Sequence, residues 1–160
     1  MTTMKIRAFQ ESDVDAVIAL WRACDVARPW NDPARDIERK LAMADDLLLV
    51  GTVDGRVVGT VMAGYEGHRG WINYLAVDPN ERNAGHGRAL MVAAESRLRE
   101  LGCPKINLQV RATNPDAIAF YEGIGFTIDA VISLGKRLVI ENRRVETCAA
   151  DPESPATPTE

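Results

Sequence analysis

Arg82-x-x-Gly85-x-Gly87 is the stretch of this chain whose residue types and spacing can hold an anion. Glycine has no Cβ, so backbone N–H groups beside it can turn toward a single point. The apolar pattern that follows at Leu90, Met91, Ala94, Leu98 and Leu101 has helical spacing. A helix N-terminus just after the glycines adds partial positive charge, and Arg82 and Arg88 can add full charges. Phosphate is the anion that such a seat most often takes. The spacing alone also fits a plain tight turn. The dinucleotide-binding fingerprint does not fit: it places three glycines directly after the first strand, whereas this loop lies halfway along the chain and lacks the third glycine.

Other chemistries find less support. The three cysteines, Cys24, Cys103 and Cys148, are odd in number and scattered. They read as free thiols of a reducing cytoplasm, not as a disulfide frame or a zinc site. Cys103 has no assigned base and reads as buried packing. With two histidines, His68 and His86, no His-rich metal site is expected. The formal net charge is −4 with no basic block, which gives no nucleic-acid footprint. No apolar run approaches a membrane span, and no signal-peptide layout opens the chain.

The elements that must position the loop follow in order. Met4 to Phe9 alternates as a first strand. Ser12 and Asp15 resemble a capping box ahead of a helix with Val14, Val17, Ile18 and Trp21 on one face. Asp32 can cap a second helix with Pro33 in its first position. Leu47 to Val53 and Arg56 to Tyr65 read as a hairpin about Asp54-Gly55, and Trp71 to Val77 as a strand that Asp78-Pro79 ends. Gly102 fits a cap at the end of the central helix. Lys105 to Val110 is a strand, Asn114 caps a short helix from Pro115 to Glu122, and Phe126 to Asp129 and Ser133 to Glu141 read as the last strands. The order β-α-α-β-β-β-α-β-α-β-β predicts an α/β (α+β) domain. Its mixed, mostly antiparallel sheet has about seven strands and helices on both faces, with one parallel crossover between strands 71–77 and 105–110. A single domain over 1–148 and a disordered tail over 149–160, rich in Pro, Thr, Ser and Glu, complete the expectation.

This order resembles the GNAT N-acetyltransferase superfamily along nearly all of residues 4–141. Val77-x-Pro79-x-x-Arg82-x-x-Gly85-x-Gly87 is similar to its acetyl-coenzyme A pyrophosphate loop. Asn114-Pro-Asp-Ala-Ile-Ala-Phe-Tyr121-Glu-Gly-Ile-Gly-Phe126 is similar to its second motif, Asn-x-x-Ala-x-x-Phe-Tyr-x-x-x-Gly-Phe. Arg28-Pro-Trp-Asn-Asp-Pro33, Gly67-His-Arg-Gly70 and Leu134-Gly-Lys-Arg-Leu138 are similar to the small bacterial YpeA-type branch. One departure is Asn83, where the family often has glycine; Asn tolerates left-handed backbone better than most residues.

The resemblance implies acetyl-CoA as co-substrate, no metal, and direct transfer to a primary amine of a small molecule or peptide. A monomer or homodimer is expected, in the cytoplasm that the cysteines suggest. The pyrophosphate would sit on Arg82, Asn83, Ala84, Gly85, His86, Gly87 and Arg88, and Asn114 would add a contact on the coenzyme side. Strands 71–77 and 105–110 splay apart in this family. The pantetheine would lie between them on backbone N–H groups near Leu75 and Val77, one of which would polarise the thioester carbonyl. Tyr121 takes the family position of the leaving-group acid, with packing against the sheet as the other reading. Glu66, with His68 beside it, lies near where the family often places its base; both also read as solvated turn residues. The side chain of His86 is expected to face solvent. Trp30 and Asn31 fall where the family shapes its acceptor site. The alternative function is a non-catalytic acyl-CoA-binding sensor built on the same loop.

Overall fold

The computed structural model describes residues 3–140. The tail expected from 149, Cys148 and the last residue of the expected final strand lie outside the described residues. Within them, five strands form one sheet in sequence order: β1 (Lys5–Ala8), β2 (Leu48–Val53), β3 (Arg56–Tyr65), β4 (Gly70–Val77) and β5 (Ile106–Leu108). The pairs from β1 to β4 are antiparallel and β4–β5 is parallel. Helices α1 (Val14–Ala23) and α2 (Pro33–Ala42) cover one face; α3 (His86–Glu100) and α4 (Pro115–Gly123) pack on the other.

Local chemistry explains most boundaries. Asp54 and Gly55 both have positive φ, 49° and 76°, as a two-residue hairpin turn of type I′ requires. The Asp32 carboxylate accepts from the N–H groups of Ala34 and Arg35, with Pro33 in the first helical position of α2. Helix α3 ends in a Schellman arrangement: Gly102 N–H donates to Arg99 O, Cys103 N–H donates to Leu98 O, and Gly102 holds φ 83°.

The start of α1 departs from expectation. The box is made by Gln10 and Asp13, not by Ser12 and Asp15: Gln10 N–H donates to Asp13 Oδ2 at 2.8 Å. Asp13 wins because Arg7 on β1 forks onto the same carboxylate at 2.7 and 2.9 Å, tying helix to sheet. The hydrogen bond from Arg7, aided by that from Gln10, holds the Asp13 carboxyl below the usual carboxylate range despite burial. Because the folded pKa is depressed, the stabilisation is present above the unfolded value of about 4 and is lost as pH falls through the folded one. Asp13→Asn should therefore destabilise the protein by about 1–2 kcal/mol at pH 7, the low part of the charged hydrogen-bond range because Arg7 is part-exposed. The difference from wild type should shrink toward pH 3 in melting experiments, and a deficit independent of pH would count against the ion pair.

The sheet is shorter than the seven strands expected. No strand forms between Phe126 and Ile140 among the described residues. The three-residue β5 offers little ladder to pair with. The segment beside it is held instead by side chains, through Lys105–Asp129 at 2.6 Å and Gln109 to Ser133. Its apolar residues Ile128, Val131, Ile132, Leu134 and Leu138 stay exposed.

Two cores result. Leu49, Val61, Ile72, Leu90, Met91, Ala94 and Leu98 fill the α3 side. Val17, Leu20, Trp21, Ile37, Leu48, Val50 and Ala76 fill the α1/α2 side.

Candidate active site

The site begins where β4 and β5 part. Their pairing covers only Gly70–Ile106, Trp71–Asn107 and Ile72–Leu108. Strand β4 runs on through residues 73–77 with β3 on one side only. At about 3.3 Å per residue those five residues line a wedge roughly 16 Å long. The splay expected from the family resemblance is thus present.

Opposite β4, the pairs Met62–Asn73 and Thr60–Ala76 leave two residues, Tyr74 and Leu75, facing the single Val61. This is a β-bulge, and Tyr74 takes φ 49° to make it. A left-handed non-glycine residue costs about 1–3 kcal/mol and persists only when its surroundings enforce it. The enforcement is visible. Thr60, fully buried, donates from Oγ1 to Tyr74 O at 2.9 Å and accepts from Trp21 Nε1 at 2.8 Å. The Tyr74 ring stacks on Trp21 at 3.7 Å and 9°, and its hydroxyl donates to Asp36 Oδ2 at 2.5 Å. None of Trp21, Asp36, Thr60 and Tyr74 stands out in the sequence. Each sits in an ordinary strand or helix pattern, and a bulge becomes visible only when two strands are set in register.

At the far end of β4, Asp78 Oδ1 caps a short 3₁₀ turn over Pro79–Glu81, accepting from Asn80 N–H. The loop then carries Asn83 at φ 63° and Gly85 at φ 80°. Asn83 thus holds the left-handed backbone for which Asn is suited. Ala89 N–H is bonded back to Gly85 O; the N–H groups of His86, Gly87 and Arg88 precede it, in the turn that has no intrahelical acceptor. A Cβ on Gly85 would meet no atom within 4 Å, so the space beside the first turn of α3 is open. These N–H groups, the helix dipole and the exposed Arg82 and Arg88 suit a diphosphate. Arg82 also donates from Nε to Val77 O. The side chain of His86, expected in solvent, is instead largely covered, with Nε2 3.9 Å from Glu81 Oε2.

Helix α4 docks on this turn. A Cβ on Gly87 would lie 3.3 Å from the Phe120 ring, so Gly87 lets α4 approach. Asn114 caps α4 through Oδ1 to Ala117 N–H. The ring of Tyr121 packs edge-on to Phe120 and Phe126 at 5.2 and 5.6 Å. Burial pushes its pKa up to about 12. The loop 82–88 thus follows Val77 at the open end of the wedge, and α4, which carries Phe120 and Tyr121, packs on the loop through the Phe120 ring at Gly87.

Trp30 and Asn31 lie in the loop between α1 and α2. The guanidinium of Arg111, just past β5, lies 5.4 Å over the Trp30 ring. Glu66 is not brought to the open end. It precedes Gly70, at the closed end of the wedge, and its Oε1 accepts from the N–H groups of His68 and Arg69 at 3.1 and 2.5 Å. His68 shares that exposed turn.

With this geometry established, comparison with known proteins is decisive for the family. Residues 14–126 match the Acetyltransferase (GNAT) family. An acetyltransferase of Yersinia enterocolitica is 49% identical over 138 residues, covering 86% of this chain and 98% of that one. Ard1 from Thermoplasma volcanium superposes with a TM-score of 0.68 at 30% identity, covering 79% of this chain and 84% of its own. The PaiA N-acetyltransferase of Thermoplasma acidophilum, solved in complex with coenzyme A, superposes at 0.72 with 16% identity, over 81% and 93%; at that identity the likeness concerns the fold. The chain belongs to the GNAT acetyltransferase family. No helix among the described residues is long and apolar enough to cross a membrane.

Proposed function

We propose that this protein transfers the acetyl group of acetyl-CoA directly to a primary amine on a small molecule or a peptide. The observation that carries the reading is the wedge: β4 continues five residues past its last pair with β5 and runs into the glycine loop. That arrangement suits a substrate with a diphosphate at one end and an extended thiol arm. The open turn of α3 takes the diphosphate and the free edge of β4 takes the arm. The N–H of Leu75 is the donor for the thioester carbonyl. The amine nitrogen attacks the carbonyl carbon, the C–S bond breaks, the amine loses one proton and the sulfur gains one. Tyr121 stands as donor to the departing sulfur. Its raised pKa keeps the hydroxyl protonated throughout the neutral range. Glu66 is dropped from the proposal as the base, because its carboxylate serves the turn at the closed end; water is the acceptor left for the amine proton. The free thiols Cys24 and Cys103 favour a reducing cytoplasm as the place of action.

The test is turnover across polyamines, aminoglycosides, amino acids and N-terminal peptides, with thiol release and amide formation both measured. Equal yields of free thiol and amide for at least one amine are expected. Tight CoA binding without turnover on any amine would instead make the chain an acyl-CoA sensor.

A further inference from the structure

We infer that Trp21, Thr60 and Asp36 form a positioning unit for the acyl carbonyl: they hold Tyr74 in its left-handed bulge so that the next N–H, that of Leu75, faces the wedge. The inference rests on the acetyl-CoA reading above and names the residues that set its geometry. Three contacts converge on one residue. The carbonyl of Tyr74 is held by Thr60 Oγ1, the ring by Trp21 and the hydroxyl by Asp36 Oδ2. Thr60 is itself oriented by Trp21 Nε1: once it accepts there, its own proton is directed to Tyr74 O. Trp21 comes from α1, Asp36 from α2 and Thr60 from β3, so three separate elements fix this one backbone kink. The bulge turns β4 just where β5 no longer pairs with it, and a bulge re-aims the groups that follow it. A small rotation at Tyr74 moves the Leu75 N–H off the line to the carbonyl oxygen. Donors of this kind act only when already in place. None of the three side chains needs to touch the substrate.

Thr60→Val keeps the shape and removes both hydrogen bonds, and Thr60→Ser restores the hydroxyl. Acetonyl-CoA labelled with carbon-13 at its ketone serves as an unreactive probe: its carbonyl resonance reports polarisation by the Leu75 N–H. In Thr60→Val, kcat should fall about 10–100-fold, the CoA Kd should stay within about twofold because the phosphate loop is intact, and the bound ketone resonance should move toward its position in water. Thr60→Ser should recover both kcat and the resonance. Trp21→Phe keeps an aromatic ring against Tyr74 and removes the indole N–H together with one ring of a fully buried side chain. It should reproduce the Thr60→Val effects in part, and it stands in should Thr60→Val not fold. A folded Thr60→Val or Trp21→Phe with wild-type kcat and an unmoved ketone resonance would overturn the inference. A wild-type protein that binds no CoA would overturn the acetyl-CoA reading on which it rests.

Discussion

Tyr121→Phe should lower kcat by about 10²–10³-fold, the usual worth of one positioned hydrogen-bond donor to developing charge, while CoA affinity and melting temperature stay close to wild type. The substitution keeps the ring between Phe120 and Phe126 and removes only the hydroxyl. Among the described residues no group hydrogen-bonds that hydroxyl, and no buried side-chain oxygen lacks a partner, so the oxygen is at an accessible surface. The loss belongs to the transition state and shows in kcat and kcat/KM together. With the pKa raised to about 12, full transfer to a thiolate whose acid has a pKa of about 8.5 runs uphill. The hydroxyl therefore works by donating a hydrogen bond as charge grows on sulfur. The same pKa predicts no alkaline loss of kcat from this group below about pH 11. Tyr121→Ala should add a packing loss of roughly 3–5 kcal/mol. Full activity in Tyr121→Phe would leave stabilisation of the departing thiolate to water or to the attacking amine.

Gly85→Val should abolish measurable CoA binding, raising Kd by about 100-fold or more, without unfolding the protein. The position has φ 80°, which a β-branched residue adopts only under strain. Relief of that strain rotates the peptide that leads into α3 and turns the first N–H groups of the helix away from their common point. The added side chain finds no protein atom to clash with within 4 Å of its Cβ, so the damage is to the anion seat and not to the core. Calorimetry with CoA reads the result directly. A folded Gly85→Val that binds CoA as tightly as wild type would move the phosphate elsewhere.

The parts that were legible in the sequence depend on chemistry within a few residues. Asp32-Pro33 and Asn114-Pro115 announce helix starts because cap and first turn are consecutive. Asp54-Gly55 and Asn83 announce left-handed backbone because few residue types tolerate it. What was not legible depends on partners distant in sequence. Ser12 and Asp15 have the spacing of a capping box, but Arg7 draws Asp13 into that role across a gap the pattern does not see. The apolar alternation after Phe126 meets strand statistics, yet a strand exists only where an edge accepts it. Glu66 precedes β4 at the end away from the loop 82–88, and strand polarity matters only once the wedge is drawn. The bulge at Tyr74 needs counting across two strands, and no single segment contains that count.

The two cores share no residue: one holds the loop side of the molecule, the other the Trp21–Tyr74 stack and the helices α1 and α2 that flank the loop of Trp30 and Asn31. On the function proposed above, the sheet is therefore a partition between the diphosphate seat on the α3 side and an α1/α2 side that carries both the acceptor loop and the support of the Tyr74 bulge. Changes on opposite sides with no common neighbour combine additively. A lineage could rework Trp30 and Asn31 toward a new amine while the diphosphate seat beside α3 goes on undisturbed, provided that Asp36 on α2 keeps its hold on Tyr74. Such a chain can diversify its chemistry by altering one half at a time, never needing two simultaneous innovations.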